Sequence, residues 1–528
     1  MANEKEKAGK PDDRKSERVT LKRRTLLKAL AGVPVFGVFA LEVLRKRSYD
    51  LEKRNTIIKE LGLGDLSNPV VVKNTAKGDL LRIGIAGFGN RAVALAHGLG
   101  YMHPADVERR QINNSLESWL QQEDLNVAIT GICDVFDLNS EKGLATARNE
   151  VRAGGAKPHG LQVVKYNNYE EMLASKDIDA IMIATPDHNH AAITVAAAKA
   201  GKHIYCEKAP CHSEQQMNDV YNAVKGSSIV YQLGHQVPQS VVFKKAKEII
   251  EKNILGKITL IESTSNRNSS DGAWIRHLDK NGKPKPGDEK SIDWDQWLGV
   301  APKVPFSIER FYNWTKYFDY DIGIIGQLFT HEYDSINQLL RIGIPKSAVS
   351  SGGIYYWKDG RDMPDVLNCV FEYPDRDLTL LYSGSLANSR SRGRVFMGHD
   401  ASMELGNTIS IIPDAGSTRY KDQISRGLID PGVPMISFNP TSGQVDAVTS
   451  ATEKYYAARG LTTTSINGRT IDVTHLHIKE WIDCIRSGGT PSANIERAFE
   501  EGMTIMMAHK AYVEQRKVEW DAVNRKIV

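Results

Sequence analysis

Three groups of residues in this 528-residue chain have the types and spacing that chemistry needs. The first is Gly87-Phe88-Gly89-Asn90-Arg91-Ala92, a G-x-G-x-x-A run. Gly87 permits a tight turn, Gly89 lets the backbone approach a pyrophosphate, and Ala92 keeps the following helix close to its strand. The N-terminus of that helix then faces phosphate charge. The second group is Asp134, which ends the apolar run Val127–Cys133. A carboxylate there accepts from ribose hydroxyls and repels a 2′-phosphate, so NAD is expected over NADP. No Lys or Arg follows Asp134 until Lys142. The third group is Gln327, His331 and Asp334, whose i, i+4, i+7 spacing puts an amide, an imidazole and a carboxylate on one helical face. The histidine pairs 188/190 and 475/477 are made of common metal ligands. With no Cys or carboxylate cluster in support, no metal is expected.

The elements that position these groups follow from periodicity and punctuation. Leu81–Ala86 is a buried strand running straight into the glycines, with a helix opening at Ala92. Asn126–Cys133 is a second strand, 45 residues beyond Gly89 rather than the usual ~20, the excess being a polar insertion over roughly 101–124. Ile178–Ala184 is a further strand and ends in Thr185-Pro186-Asp187-His188-Asn189-His190. A helix then runs to Ala200, and Gly201 is a fitting C-cap. Lys202–Cys206 is a short strand entering Glu207-Lys208-Ala209-Pro210. Strands and helices alternating at these lengths predict a doubly wound parallel α/β sheet. Beyond Pro210 the pattern changes to strands such as Ile258–Thr264 and Leu378–Ser385 separated by long polar insertions. It predicts an α+β domain with a large open, mostly antiparallel sheet. The expected domains are 79–212 for the nucleotide and 213–528 for the substrate, with the helix beginning at His475 returning to the first domain.

Taken in order, G-x-G-x-x-A, the strand-end Asp, A-T-P-D-H-x-H and the E-K turn resemble the glucose–fructose oxidoreductase/inositol dehydrogenase (Gfo/Idh/MocA) family over about residues 80–490. Two departures stand out. The family's E-K-P is Glu207-Lys208-Ala209-Pro210 here, and the first Asp of its D-x-x-x-H-x-x-D is Gln327, leaving Asp319 or Asp321 to compensate. The resemblance implies Lys208 and His331 as the catalytic pair. It implies cofactor contacts from Gly87, Gly89, Asn90, Arg91, Asp134, Thr185, Pro186, His188, His190, Glu207 and Lys208. Substrate contacts would come from Lys208, Trp314, Tyr317, Gln327, His331 and Asp334. The implied activity is NAD-dependent oxidation of a sugar or glycoside hydroxyl, C3 oxidation to a keto-sugar being one form. The alternative is an NAD-dependent glycosidase that works by transient oxidation and elimination.

Composition bounds the partners and the compartment. The chain is 41% hydrophobic and 25% charged with a net charge of +4, ordinary for a globular protein. The positive excess sits in residues 1–28, and no basic stripe with interleaved aromatics follows, so no nucleic-acid partner is expected. Lys22-Arg23-Arg24-Thr25-Leu26-Leu27-Lys28 precedes the apolar stretch Ala29–Leu44 and resembles a Tat export signal. That stretch contains Pro34 and is shorter than the ~20 residues of a spanning helix. Residues 1–50 are therefore read as a signal, cleaved or kept as a membrane anchor, and 51–78 as a linker. A periplasmic location follows, where free NAD is scarce and the cofactor should be tightly held and recycled. None of the five cysteines forms a CxxC pair, and reduced, buried thiols are expected. Open sheets of this kind often pair, so a homo-oligomer is expected.

Overall fold

The computed structural model describes residues 78–390, 392–439, 463–466 and 469–528, together with Thr56 and Lys59. The expected signal at 1–50 lies outside the described residues, as does nearly all of the linker. From Gly78 onward the described elements belong to one compact unit, Asp65–Val528. No described helix is long and apolar enough to cross a membrane.

Six parallel strands form the first sheet: β1 Leu81–Ala86, β2 Val127–Cys133, β3 Val164–Lys165, β4 Ala180–Ile183, β5 His203–Cys206 and β6 Tyr231–Leu233. Their spatial order is β3-β2-β1-β4-β5-β6. The near-continuous apolar runs of β1, β2 and β4 suit strands covered by helices on both faces; Ile83, Ile85, Ile132, Ile181 and Met182 are fully buried. This order reverses direction between β1 and β4, and the crevice beyond their carboxyl ends is where such sheets take ligands. Helix α1, Asn90–Gly98, opens at Gly89, and α2, Asp187–Lys199, opens after Pro186. The sheet continues past residue 212, the boundary expected from sequence. An amphipathic helix, Glu214–Lys225, buries Met217, Val220 and Val224 and returns the chain to β6. The polar insertion is helical, Pro104–Ile112 and Leu116–Leu120, and packs Val107, Leu116 and Trp119 into a small core with Met102 and Ala153.

The second sheet has ten strands: β7 Ile258–Asn266, β8 Ser347–Gly353, β9 Val366–Tyr373, β10 Leu378–Ser385, β11 Arg394–Gly398, β12 Ala401–Leu405, β13 Ile409–Pro413, β14 Ile436–Phe438, β17 Val518–Asp521 and β18 Lys526–Ile527. Thr463–Ile466 (β15) and Arg469–Asp472 (β16) form a separate hairpin. Among the described residues of the large sheet, only the β7–β10 pairing is parallel and the other ladders are antiparallel. Strict alternation in β10 sends Leu380 and Tyr382 into the core. There Phe329 stacks on Phe371 at 4.8 Å and meets Tyr382 at 4.7 Å. A π-helical turn, Ile325–Phe329, leads into helix α3, Thr330–Leu340, on this buried face. Helix α4, Val473–Ser487, returns Ile478, Trp481 and Ile482 to the core of the first domain. Helix α5, Ile495–Glu514, packs against β8 and the helix Glu214–Lys225.

Candidate active site

At the nucleotide end the two glycines are needed for different reasons. Gly87 has φ +81°, and a Cβ there would meet the Ala184 carbonyl oxygen at 2.8 Å and the Thr185 nitrogen at 2.9 Å. Gly89 has ordinary extended backbone, and a Cβ there would meet nothing within 4 Å. Its missing side chain keeps open a space at the N-terminus of α1 rather than satisfying the protein's own packing, which fits the approach of a pyrophosphate. Asp134 caps this turn: it accepts from the Phe88 and Phe136 N–H groups at 2.5 and 2.8 Å. Burial pushes its carboxyl up to about 6, against the pull of those two hydrogen bonds.

Asn90 is exposed in the first turn of α1. Arg91 reaches across the crevice and donates to Glu207 at 2.6 Å and to Gln236 at 3.3 Å. Thr185 and Pro186 line the end of β4, half-buried. His188 and His190 correct the expectation of cofactor contact, because both are fully buried with ring nitrogens on backbone carbonyls. His188 Nε2 lies 2.8 Å from the Trp297 carbonyl oxygen, and burial lowers its pKa to about 4. His190 spans the Ala209 and Thr185 carbonyls at 2.7 and 2.8 Å and so locks the Lys208 turn to the end of β4. His475 and His477 are likewise spent, on the carbonyls of Gly98 and Leu233, both at 2.9 Å.

Across the crevice the second domain answers with α3 and its π turn. Lys208 Nζ donates to Gln327 Oε1 at 2.8 Å. The Gln327 amide donates in turn to Asp187 at 2.9 Å and to Asp321 at 3.1 Å. The carboxylate missing at position 327 is therefore present one hydrogen bond further away. Asp187 and Asp321 supply it, whereas Asp319 is paired with Arg310 at 2.8 Å. Burial, reinforced by Asp187, holds the Asp321 carboxyl well above the usual range. Further along α3, His331 Nδ1 lies 3.4 Å from His235 Nδ1, and His235 Nε2 lies 2.8 Å from a Glu501 oxygen. Asp334 accepts from Gln338 at 2.9 and 3.1 Å. Although no metal set was expected, His235, Asp334 and Glu501 offer donor atoms within 4.8 Å of one another. Burial pushes Asp334 and Glu501 up. Burial alone would lower His235, but the Glu501 and Asp334 charges outweigh it and raise the imidazole.

Trp314 and Tyr317 belong to an aromatic cluster with Trp297 and Tyr320. Tyr317 is buried in that packing, its hydroxyl donating to Glu309 at 3.2 Å and its ring 4.5 Å from the Arg310 guanidinium. It is a wall residue rather than the open sugar platform expected, whereas Trp314 keeps part of its surface open. Asp187, His235 and Glu501 were missed. Asp187 stood inside the A-T-P-D-H-x-H run. Glu501 had a subtler signal: with Ala498, Ile505 and Ala508 it falls on one helical face, and an acid on an apolar face needs a partner.

A six-stranded Rossmann sheet joined to an open mixed sheet, with a glycine turn shaped for phosphate, defines a two-domain nucleotide-dependent protein. Residues 81–235 match the NAD-binding Rossmann model of the Gfo/Idh/MocA oxidoreductase family, and residues 239–346 match its C-terminal α/β domain. The chain belongs to that family. Levoglucosan dehydrogenase of Pseudarthrobacter phenanthrenivorans is 28% identical over 212 residues, 40% of this chain and 48% of the relative. Myo-inositol 2-dehydrogenase of Thermotoga maritima is 26% identical over 100 residues, 19% of this chain and 30% of the relative. The chain thus spans half or less of these relatives in sequence. A solved levoglucosan dehydrogenase in complex with NADH and L-sorbose shares the fold, with a TM-score of 0.54 at 16% identity, covering 84% of this chain and 99% of the other.

Proposed function

We propose that the protein is an NAD-dependent oxidoreductase acting on a hydroxyl of a sugar or glycoside. The observation that carries this reading is the junction of Lys208, on the turn after β5, with Gln327 on the second domain, at 2.8 Å. It brings the ammonium group against the π turn that leads into α3, the helix that carries His331. When bound, the nicotinamide supplies the acceptor for the hydride leaving the sugar C–H. The protein's own residues handle the oxygen: Lys208 and His331 bracket it, one taking the hydroxyl proton while the other holds the oxygen. Gln327 fixes the ammonium group, with Asp187 and Asp321 behind it. Gly87, Gly89 and Asp134 shape the pyrophosphate and ribose end. The relatives named for levoglucosan and inositol support a polyhydroxylated substrate.

The reading extends to the compartment. Arg23-Arg24 and the apolar stretch after them support export, and a cofactor held through turnover follows from scarcity outside the cytoplasm. Mass spectrometry of products from a panel of glycosides tests the reaction. A keto-sugar supports it; a free sugar with no net oxidation points to the elimination route, and no product sinks both. Denaturing the purified protein should release near-stoichiometric NAD, and a clean apo-protein would overturn the retained cofactor.

A further inference from the structure

We propose that His235, Asp334 and Glu501 form a binding site for one divalent transition-metal cation, of the zinc or manganese class, at the seam between the two domains. They arrive from three separate elements: the turn after β6, helix α3 and helix α5. One donor atom from each lies within 4.8 Å of the other two, and the three residues are at most 3% exposed.

Two features separate this cluster from an ordinary buried ion pair. The first is direction. His235 Nε2 is paired with one Glu501 oxygen at 2.8 Å, while the other, Glu501 Oε1, has no hydrogen-bond partner. Buried polar atoms are normally satisfied, so a buried carboxylate oxygen left without a partner in a cluster of three ligand-type residues suits a third body. The second is charge. Two carboxylates face one imidazole, and buried carboxylates need pairing or a metal. Lys208 acts on both His235 and Glu501, but its ammonium group is engaged with Gln327. Arg394 and Arg497 act on Asp334 only after His235 and Gln338.

The surroundings are those of an oriented ligand set. A ligating histidine ordinarily directs its other ring nitrogen to a polar partner, and His235 Nδ1 is 3.4 Å from His331 Nδ1. Asp334 is steadied by Gln338 at 2.9 Å. The His235 main chain is held by its N–H, which donates to the Leu233 carbonyl at 2.8 Å. One nitrogen and two oxygens from three residues make a borderline donor set that leaves a fourth position open. Because the ligands span both domains, the cation acts as a staple between them.

The test uses the full chain, stripped with a chelator and dialysed, then titrated with Zn²⁺, Mn²⁺ or Co²⁺ alone. After gel filtration, elemental analysis should find one metal per chain, the melting temperature should rise by several degrees, and Co²⁺ should give visible bands of low-coordinate cobalt. Glu501→Gln and Asp334→Asn should each lose all three signals, while the surface control Asp414→Asn keeps them. Circular dichroism identifies a variant that fails to fold, and the other variant then carries the reading. Wild-type protein that neither retains metal nor shifts in millimolar Zn²⁺ or Mn²⁺ overturns the site, as does metal retained in both folded variants. None of these readouts needs a substrate or turnover, so failure here is distinct from failure of the proposed activity.

Discussion

The two halves of the crevice are built in different ways. On the Rossmann side the glycine turn, the acid and the lysine each sit at the end of a short parallel strand. Gly87 follows β1, Asp134 follows β2 and binds the Phe88 N–H, and Lys208 follows β5. On the other side the groups lie on one π turn and the helix after it, and their partners are remote in sequence. Gln327 is 119 residues from Lys208 and 140 from Asp187, and His331 is 96 from His235. A π turn of this kind recurs at functional sites, and here it carries Gln327. The strand-end half is a rigid cradle for a ligand, whereas the helix half is a network in which one change is felt by several neighbours.

The largest effect should come where the halves meet. Lys208→Ala and His331→Ala are each expected to lower turnover by roughly 10²–10⁴-fold, the range for general acid–base groups, with NAD still bound. Steady-state kinetics on a responsive glycoside checks this, and full activity in either variant would break the assignment. The network side is sharpened by Gln327→Asp. It restores the family's carboxylate but removes the amide that donates to Asp187 and Asp321. Three acids then crowd together, so turnover should fall about tenfold. Adding Asp321→Asn should recover most of it; if Gln327→Asp alone is neutral, the relayed carboxylate is not used.

On the cradle side the test is pH. The folded Asp134 pKa is raised to about 6, so its carboxylate is lost as pH falls through that value. If ribose binding prefers the ionised form, NAD affinity should rise between pH 5 and 7, by at most about tenfold per unit. Asp134→Asn should flatten the profile, as measured by calorimetric titration of stripped protein. The smallest effect on the fold separates the glycines. Gly89→Ala should leave the melting temperature unchanged while weakening NAD, because its Cβ meets no protein atom. Gly87→Ala should cost ~1 kcal/mol or more of stability as well, from positive φ and the Ala184 carbonyl. Equal melting shifts in the two would erase the distinction.

Much of the first domain was legible because its signals are local. Apolar runs of strand length, glycines at a turn and an acid at a strand end each report on residues within a few positions. The same reading misjudged several residues around Lys208 and His331. His188, His190 and Tyr317 have the right types in the right runs, yet burial has spent them on backbone carbonyls and aromatic packing. The domain boundary fell short for a related reason: β6 is three residues long and reads as a strand only once it pairs with β5.

By itself the sequence determined the parallel sheet, the glycine turn and the acid after β2. Only the tertiary structure decided that Asp321, and not Asp319, stands behind Gln327, and that His235 and Glu501 stand behind His331. The physical reason is that a buried charge is stable only with a partner. That partner is chosen by which helix packs over which strand end, a proximity that no spacing along the chain encodes.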